Sequence, residues 1–194
     1  MTFDLAARLG YEPDEVYFRY YLRFDDDWRP ADDGGKLPGL AGTYGRAGWG
    51  GRRSDGRNGW SLRGMFHRMP APGNPMADRI GFGTYAYHAE MSGDFGDGWE
   101  WMIAGLGLLE RNRWYCVEQS LRLNTPGVSD GLFRGWIDGR PAFEKTDARI
   151  RDTDSLKIER VWMNVYYGGI TPAPSDMHLY IDNVVIARRK IGCI

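Results

Sequence analysis

Short runs in which apolar and polar side chains alternate, separated by glycine and proline, are the main pattern along this chain. In the run from Val16 to Phe24, aromatic and aliphatic residues occupy the even positions, whereas the odd positions hold arginine or tyrosine. Successive side chains of a strand point to opposite faces. This run therefore predicts a strand with one core-facing side and one cationic, aromatic side.

Further segments with strand character follow, and glycine or proline bounds many of them. The predicted strands are Trp60–Arg68, Gly83–Met91, Trp99–Ile103, Arg113–Asn124, Gly131–Ile137, Ile158–Tyr166 and His178–Arg188. Asp138 and Gly139 are a hairpin signal between Ile137 and Arg140. Helices are expected only as single turns, at residues 5–9, 106–112 and 149–155. The pattern predicts an all-β sandwich.

Residues 25–59 lack a clear period and are rich in glycine, aspartate and arginine. Long irregular segments inside a compact domain are usually functional or disordered. Trp28 and Trp49 argue against disorder, because a freely solvated loop has no use for large aromatic rings. We interpret this segment as an ordered loop over a cleft.

The chain has 194 residues, which predicts a single domain spanning residues 1–194. A net charge of −1 argues against a nucleic-acid or membrane partner, and no apolar run is long enough to span a bilayer. No signal peptide is visible at the N-terminus. The aromatic content of 14% suits either a sandwich core or sugar stacking. We expect a monomer.

The two cysteines, Cys116 and Cys193, are too few for a disulfide scaffold and lack the spacing of a zinc site. Two unpaired thiols are the default expectation. A bridge requires the last strand to return beside the strand that holds Cys116, and it would indicate an oxidising compartment.

Two of the predicted strands place polar side chains together. In the first, Ser61, Arg63, Met65 and His67 share one face, and in the second Tyr85 and Tyr87 do so. Lys36 lies in the preceding segment Gly34–Leu40. If these segments present one surface, their cations, hydroxyl and phenols suit an acidic sugar.

These segments carry a family resemblance. Residues 34–40, 60–65 and the Tyr85-x-Tyr87 pair resemble the β-jelly-roll polysaccharide lyases, which include algal-virus-type alginate lyases and fungal glucuronan lyases. The segments 117–127, 136–139, 164–169 and 180–184 also look like this group, to which a cellulose-induced fungal protein is related. The resemblance runs from about residue 16 to the end of the chain.

The resemblance implies a β-jelly roll of two antiparallel sheets with a concave binding face. It also implies that the protein is a secreted or periplasmic lyase acting on an acidic polysaccharide such as alginate or glucuronan. The positions that match residues with roles in substrate binding and catalysis are Lys36, Ser61, Arg63, Tyr85 and Tyr87. A non-catalytic carbohydrate-binding protein and a hydrolase built on a carboxylate pair are the alternatives.

The chemistry explains why a lyase needs these residue types. β-Elimination removes the proton on C5 of a uronate and expels the oxygen on C4, so negative charge develops on the carboxylate. Arg63 offers a planar fork for that carboxylate, Lys36 a compact charge and Ser61 a hydroxyl donor. No cofactor is expected for catalysis.

A tyrosine is the expected base and acid. Lowering a phenol pKa from about 10 to about 7 needs roughly 4 kcal/mol of differential stabilisation, which nearby cations can supply. Tyr87 is the predicted base and Tyr85 its helper, although the order is open. His67 is either an alternative base or a histidine at the cleft rim.

Further residues are candidates for sugar subsites or for ordinary surface pairing. On the predicted strands these are Arg19, Tyr21, Arg23, Glu118, Arg122, Asn124 and Tyr166. Asp182 and Glu15, together with Asp4, are candidates for a structural calcium site if neighbouring strands bring them together, although no EF-hand loop is present.

Overall fold

The computed structural model describes residues 1–69, 76 and 78–194, and it contains two antiparallel β-sheets. In chain order, the strands and the helix are β1 (Thr2–Asp4), α1 (Leu5–Leu9), β2 (Glu15–Phe24), β3 (Gly35–Gly42), β4 (Trp60–Arg68), β5 (Ile80–Tyr87), β6 (Asp97–Glu100), β7 (Leu108–Leu109), β8 (Tyr115–Arg122), β9 (Gly131–Ile137), β10 (Arg140–Ala148), β11 (Arg160–Trp162), β12 (Tyr166–Tyr167) and β13 (Leu179–Ala187). A short 3-10 helix spans Ile103–Gly105.

The larger sheet has eight strands, with the order β1-β11-β3-β4-β5-β6. β12 pairs with β3, and β7 pairs with β5. The smaller sheet has five strands in the order β10-β9-β8-β2-β13. The named strands pair antiparallel, so the predicted all-β sandwich is confirmed.

The core lies between the two sheets and is formed by the apolar positions that the alternation predicted. The even positions of β2, from Val16 to Phe24, are buried. On the facing sheet, Trp60, Leu62 and Phe66 of β4 are fully buried in the same cluster. The opposite face of each strand is thereby directed away from the core, which makes it available for function.

β3 is a central strand that the sequence did not predict, because glycine and proline normally interrupt strands. Pro38 coincides with a register shift between Leu37 and Gly39 in the pairing with β4. A Cβ atom at Gly39 would lie 2.2 Å from the carbonyl oxygen of Leu62. Glycine therefore permits a close backbone approach here, and the segment predicted as one loop contains a central strand.

Other boundaries also differ from the prediction. The predicted strand Gly83–Met91 ends at Tyr87, and the predicted strand from 158 to 166 divides into β11 and β12. The helical turn at 5–9 is confirmed, whereas those at 106–112 and 149–155 are wrong. The hairpin is confirmed, with positive φ at both Asp138 and Gly139. No helix in the described ranges has the length and apolar character needed to cross a bilayer.

The expectation of two unpaired thiols is wrong, because Cys116 and Cys193 form a disulfide with Cα atoms 6.0 Å apart. The chain after β13 returns over the outer face of the smaller sheet. There the amides of Ile191 and Gly192 donate to the Glu118 carboxylate at 2.8 and 2.9 Å. The bridge and these hydrogen bonds fix the C-terminal segment to β8.

We expect the disulfide to stabilise the fold appreciably, because it closes a loop with a sequence separation of 77 residues. Chain entropy predicts a contribution of about 4 kcal/mol for a loop of that size. Urea unfolding of the Cys116→Ser/Cys193→Ser double variant should show a reduced free energy of unfolding. A reducing agent should lower the wild-type value in the same way and leave the variant unchanged. Equal unfolding midpoints for the two proteins would contradict this.

Candidate active site

A cleft of about 630 Å³ lies on the outer face of the larger sheet. β4 and β5 pair so that Arg63 is opposite Tyr85, and Ser61 is opposite Tyr87. β3 places Lys36 opposite Met65 of β4. The residues lining the cleft are Asp33, Lys36, Trp49, Gly50, Arg63, Tyr85, Tyr87, Phe95, Trp162, Asn164, Tyr166, Gly169 and Ile170. Four of the five predicted catalytic residues therefore share one cavity.

Two cations surround the ring of Tyr85. Lys36 Nζ lies 4.1 Å from the ring centroid, and Arg63 Cζ lies 5.8 Å from it. Arg63 also stacks over Trp162 at 4.9 Å and donates to Asn164 Oδ1 at 3.2 Å. The aromatic rings and the amide hold the guanidinium in place within a largely buried position, which favours an anionic ligand in the cleft.

The two tyrosines differ in exposure. Their ring centroids are 5.6 Å apart and the ring planes are nearly perpendicular. Tyr87 is fully buried, and its hydroxyl accepts a hydrogen bond of 3.3 Å from the amide of Gly51. Tyr85 is partly exposed. Of the two phenols, Tyr85 is therefore the one that is open to a ligand.

The electrostatics of the cleft differ from the sequence-based expectation. Burial is the main cause that raises the pKa of Tyr85 to about 12, and interaction with Tyr87, including a hydrogen bond to it, adds to the shift, although Arg63 opposes it. Burial and repulsion from Arg63 lower the pKa of Lys36 to about 8, whereas Asp33 opposes that change. Desolvation thus outweighs the nearby cations, so the expected lowering of the phenol pKa is wrong for Tyr85.

Ser61 does not line the cleft. Its side chain is buried, and its hydroxyl donates to the carbonyl of Gly48 at 2.6 Å. This contact holds the segment that carries Trp49 and Gly50 against β4. Ser61 therefore positions one wall of the cleft, and the structure does not support the predicted contact with substrate.

The predicted loop over a cleft is confirmed for the part that follows β3, because Trp49 and Gly50 form one wall. Phe95 and Ile170 lie on the rim and expose 65% and 97% of their surfaces. Large apolar side chains this exposed beside a cavity favour contact with a ligand. Phe95, Trp162, Asn164 and Ile170 were not predicted as site residues. Trp162 and Asn164 alternate with apolar residues and share a strand face with Tyr166, which is a signal that could have found them.

Among the predicted binding residues, Tyr166 lines the cleft and His67 lies in the adjoining groove, where its Nε2 is 2.9 Å from Glu100 Oε2. The others belong to the smaller sheet or to its flanks, away from the cleft. These residues are Arg19, Tyr21, Arg23, Glu118, Arg122 and Asn124. Their prediction as subsites is wrong, because β2 and β8 direct their polar faces to the opposite side of the sandwich.

Contacts within the protein occupy several of these side chains. Glu118 binds the C-terminal amides, and the Tyr21 hydroxyl accepts from the amide of Ile194. Arg23 stacks on Tyr180 at 4.5 Å. The Asn124 side chain is buried and holds the backbone of Ile150 and Arg151. These residues stabilise the fold.

The structure separates the predicted calcium ligands. Asp182 pairs with Tyr21, whereas Glu15 pairs with Arg122 at the start of β2. Six residues of a strand span about 20 Å, so the two carboxylates do not share a site. A closer group of carboxylate and imidazole atoms, within the described ranges, is Asp25, Asp27 and His178, in which Asp27 already hydrogen-bonds to His178.

Comparisons with known proteins agree with this fold. The polysaccharide lyase 14 family model matches residues 97–184. The structure of alginate lyase Aly36B is 24% identical, covers 98% of this chain and 73% of its own, and gives a TM-score of 0.77. Alginate lyase vAL-1 from Chlorella virus is 20% identical, with coverages of 93% and 73% and a TM-score of 0.71.

The endo-β-1,4-glucuronan lyase from Trichoderma reesei is also similar, at 14% identity, coverages of 93% and 71% and a TM-score of 0.60. No curated protein gives a significant sequence match. Together these similarities confirm the predicted resemblance to the jelly-roll polysaccharide lyases in fold. The four cleft residues predicted as catalytic precede the segment that the family model matches, so their roles depend on the geometry above.

Replacing Ser61 by alanine should lower stability rather than remove a substrate contact. The change leaves the buried carbonyl of Gly48 without its hydroxyl donor, which costs about 1–3 kcal/mol. Chemical unfolding measures the loss, and Ser155→Ala on the exposed surface is the control. A Ser61→Ala protein with wild-type stability would contradict the structural role of this hydroxyl.

Proposed function

We propose that this protein cleaves a uronic-acid-containing glycan of the alginate or glucuronan type by β-elimination. The observation that carries the proposal is the convergence of Lys36, Arg63 and the partly exposed phenol of Tyr85 in one cleft. The alginate and glucuronan lyases with the same fold support it.

Arg63 and Asn164 bind the substrate carboxylate in this proposal. The C5 proton of a uronate is only weakly acidic, because the adjacent carboxylate is already negative. A guanidinium held in a desolvated position stabilises the additional charge that develops as the proton leaves. The hydrogen bond from Arg63 to Asn164 orients the guanidinium before the substrate binds.

Lys36 is the better base. Its pKa of about 8 leaves a fraction of the amine neutral near pH 7, whereas Tyr85 with a pKa of about 12 stays protonated. We therefore assign proton removal at C5 to Lys36 and proton donation to the leaving oxygen on C4 to Tyr85. Tyr87, the base expected from the sequence, is buried, accepts a hydrogen bond from the amide of Gly51 and packs edge-on against Tyr85.

Binding without cleavage is the second candidate, and the exposed rim residues Phe95 and Ile170 favour it. They suit contact with the apolar face of a sugar whether or not a bond is broken. A hydrolase is less well supported, because Asp33 is the one carboxylate among the described residues that line the cleft. Thr171 and the amide of Ile170 already bind Asp33, and hydrolysis normally uses two carboxyl groups.

The disulfide between Cys116 and Cys193 supports a location in an oxidising compartment. A secreted or periplasmic enzyme is consistent with a polymeric substrate. The monomeric state remains a prediction, and the proposed reaction uses side chains of this chain alone.

Incubation with alginate or glucuronan should produce unsaturated uronate, which ultraviolet absorbance detects directly. Arg63→Lys keeps the positive charge but removes the planar fork, so the rate should fall by about 100-fold. Arg134→Lys, on the outer face of the smaller sheet, is the matched control and should keep the wild-type rate. New reducing ends without absorbance would indicate a hydrolase instead, and binding without any product would indicate a binding protein.

The pH dependence should identify Lys36 as the base. Since the neutral amine removes the proton, kcat/KM should rise with pH and level off above about 8. Lys36→Arg retains the charge but stays protonated. Activity should therefore be lost, and the rise of kcat/KM toward pH 8 should disappear. Lys157→Arg is the control, because Lys157 pairs with Asp14 outside the cleft. If the Lys36→Arg protein still shows the rise of kcat/KM toward pH 8, another residue is the base.

A further inference from the structure

A groove of about 240 Å³ adjoins the cleft and shares Asp33, Lys36 and Tyr85 with it. Asp32, His67 and Glu100 lie along this groove. A polymer whose uronate sits at Lys36 and Arg63 therefore has a continuous path past Lys36 to Glu100. The groove therefore lies where the next sugar of such a polymer would extend.

The floor of the groove depends on glycines of β5. A Cβ at Gly81 would lie 2.3 Å from the ring of His67, and one at Gly83 would lie 2.9 Å from Met65 Cε. Because these positions are glycine, the side chains of β4 lie flat across β5. His67 is then held at Glu100, and the space above it stays open.

The groove and the cleft differ in charge. Beyond the three residues that they share, the cleft adds the cation Arg63, whereas the groove adds two carboxylates, Asp32 and Glu100, and the imidazole of His67. Each of these carboxylates already has a partner, because Arg68 lies 3.4 Å from Asp32 and His67 lies 2.9 Å from Glu100. Among the described residues that line the groove, no cation beyond Lys36 is left unpaired to receive another carboxylate.

We propose that the substrate is a heteropolysaccharide in which the uronate bound by Lys36 and Arg63 is followed, on the Glu100 side, by a neutral sugar. This inference rests on the proposed lyase function and narrows its substrate class. A second uronate in the groove would bring its carboxylate toward Asp32 and Glu100, whose cationic partners are already paired, and like charges repel. The hydroxyls of a neutral sugar instead donate hydrogen bonds to these carboxylates.

The test compares kcat/KM on a homopolyuronate with kcat/KM on a polymer that alternates uronate and neutral sugar, using ultraviolet absorbance. The wild-type protein should prefer the alternating polymer by about tenfold or more. Glu100→Gln should reduce that preference severalfold. Asp32→Asn is the second variant and should act in the same direction, because it removes a carboxylate and releases Arg68 from its ion pair. Glu144→Gln, which removes a carboxylate on the smaller sheet, should leave the preference unchanged.

Equal or higher kcat/KM on the homopolyuronate would overturn the inference while leaving the lyase function intact. So would a preference that neither Glu100→Gln nor Asp32→Asn alters. Failure to cleave either polymer would instead overturn the proposed function. Calorimetric titration of the uncleaved polymers would then decide the preference, since tighter binding of the alternating polymer supports the inference and equal binding overturns it.

Discussion

The register between β4 and β5 is the constraint on which the candidate site depends. It places Arg63 beside Tyr85 on the outer face while Leu62 and Phe66 enter the core. A slip of one residue would exchange the two faces and bury the guanidinium among apolar side chains. The energy of the hydrophobic core therefore fixes the register, and the register positions the cation. Fold stability and site geometry follow from one pattern of alternation.

Desolvation determines the chemistry of the cleft. Lys36 and Arg63 both lie against the ring of Tyr85, and burial there disfavours the charged form of each. The same burial disfavours the phenolate of Tyr85. In the proposed mechanism, the partly neutral amine of Lys36 is the base and the protonated phenol of Tyr85 is the acid in one cavity. The two groups differ because burial acts in opposite directions on the pKa of a cation and of an acid.

The two sheets have separate tasks. The larger sheet carries the cleft, its glycine-rich floor and the rim residues. The smaller sheet closes the core and is strengthened on its outer side by the disulfide and by the C-terminal segment that Glu118 binds. Rings and arginines at odd positions of β2 have the same sequence pattern as a binding face, yet they stabilise a surface far from the cleft. A polar face on a strand thus indicates exposure and does not by itself indicate a site.

Alternation in the sequence was sufficient to predict the sandwich, most of its strands and the shared face of Arg63, Tyr85 and Tyr87, because side-chain direction in a strand is a local property. The family resemblance selected Lys36, which has no periodic signal. Tertiary structure decided the rest. It made a strand of a glycine-rich segment, paired Cys116 with Cys193, directed Ser61 to Gly48 and brought Trp162, Asn164 and Phe95 to the cleft. These outcomes depend on contacts between residues far apart in the chain and on burial, and neither quantity can be read from local sequence.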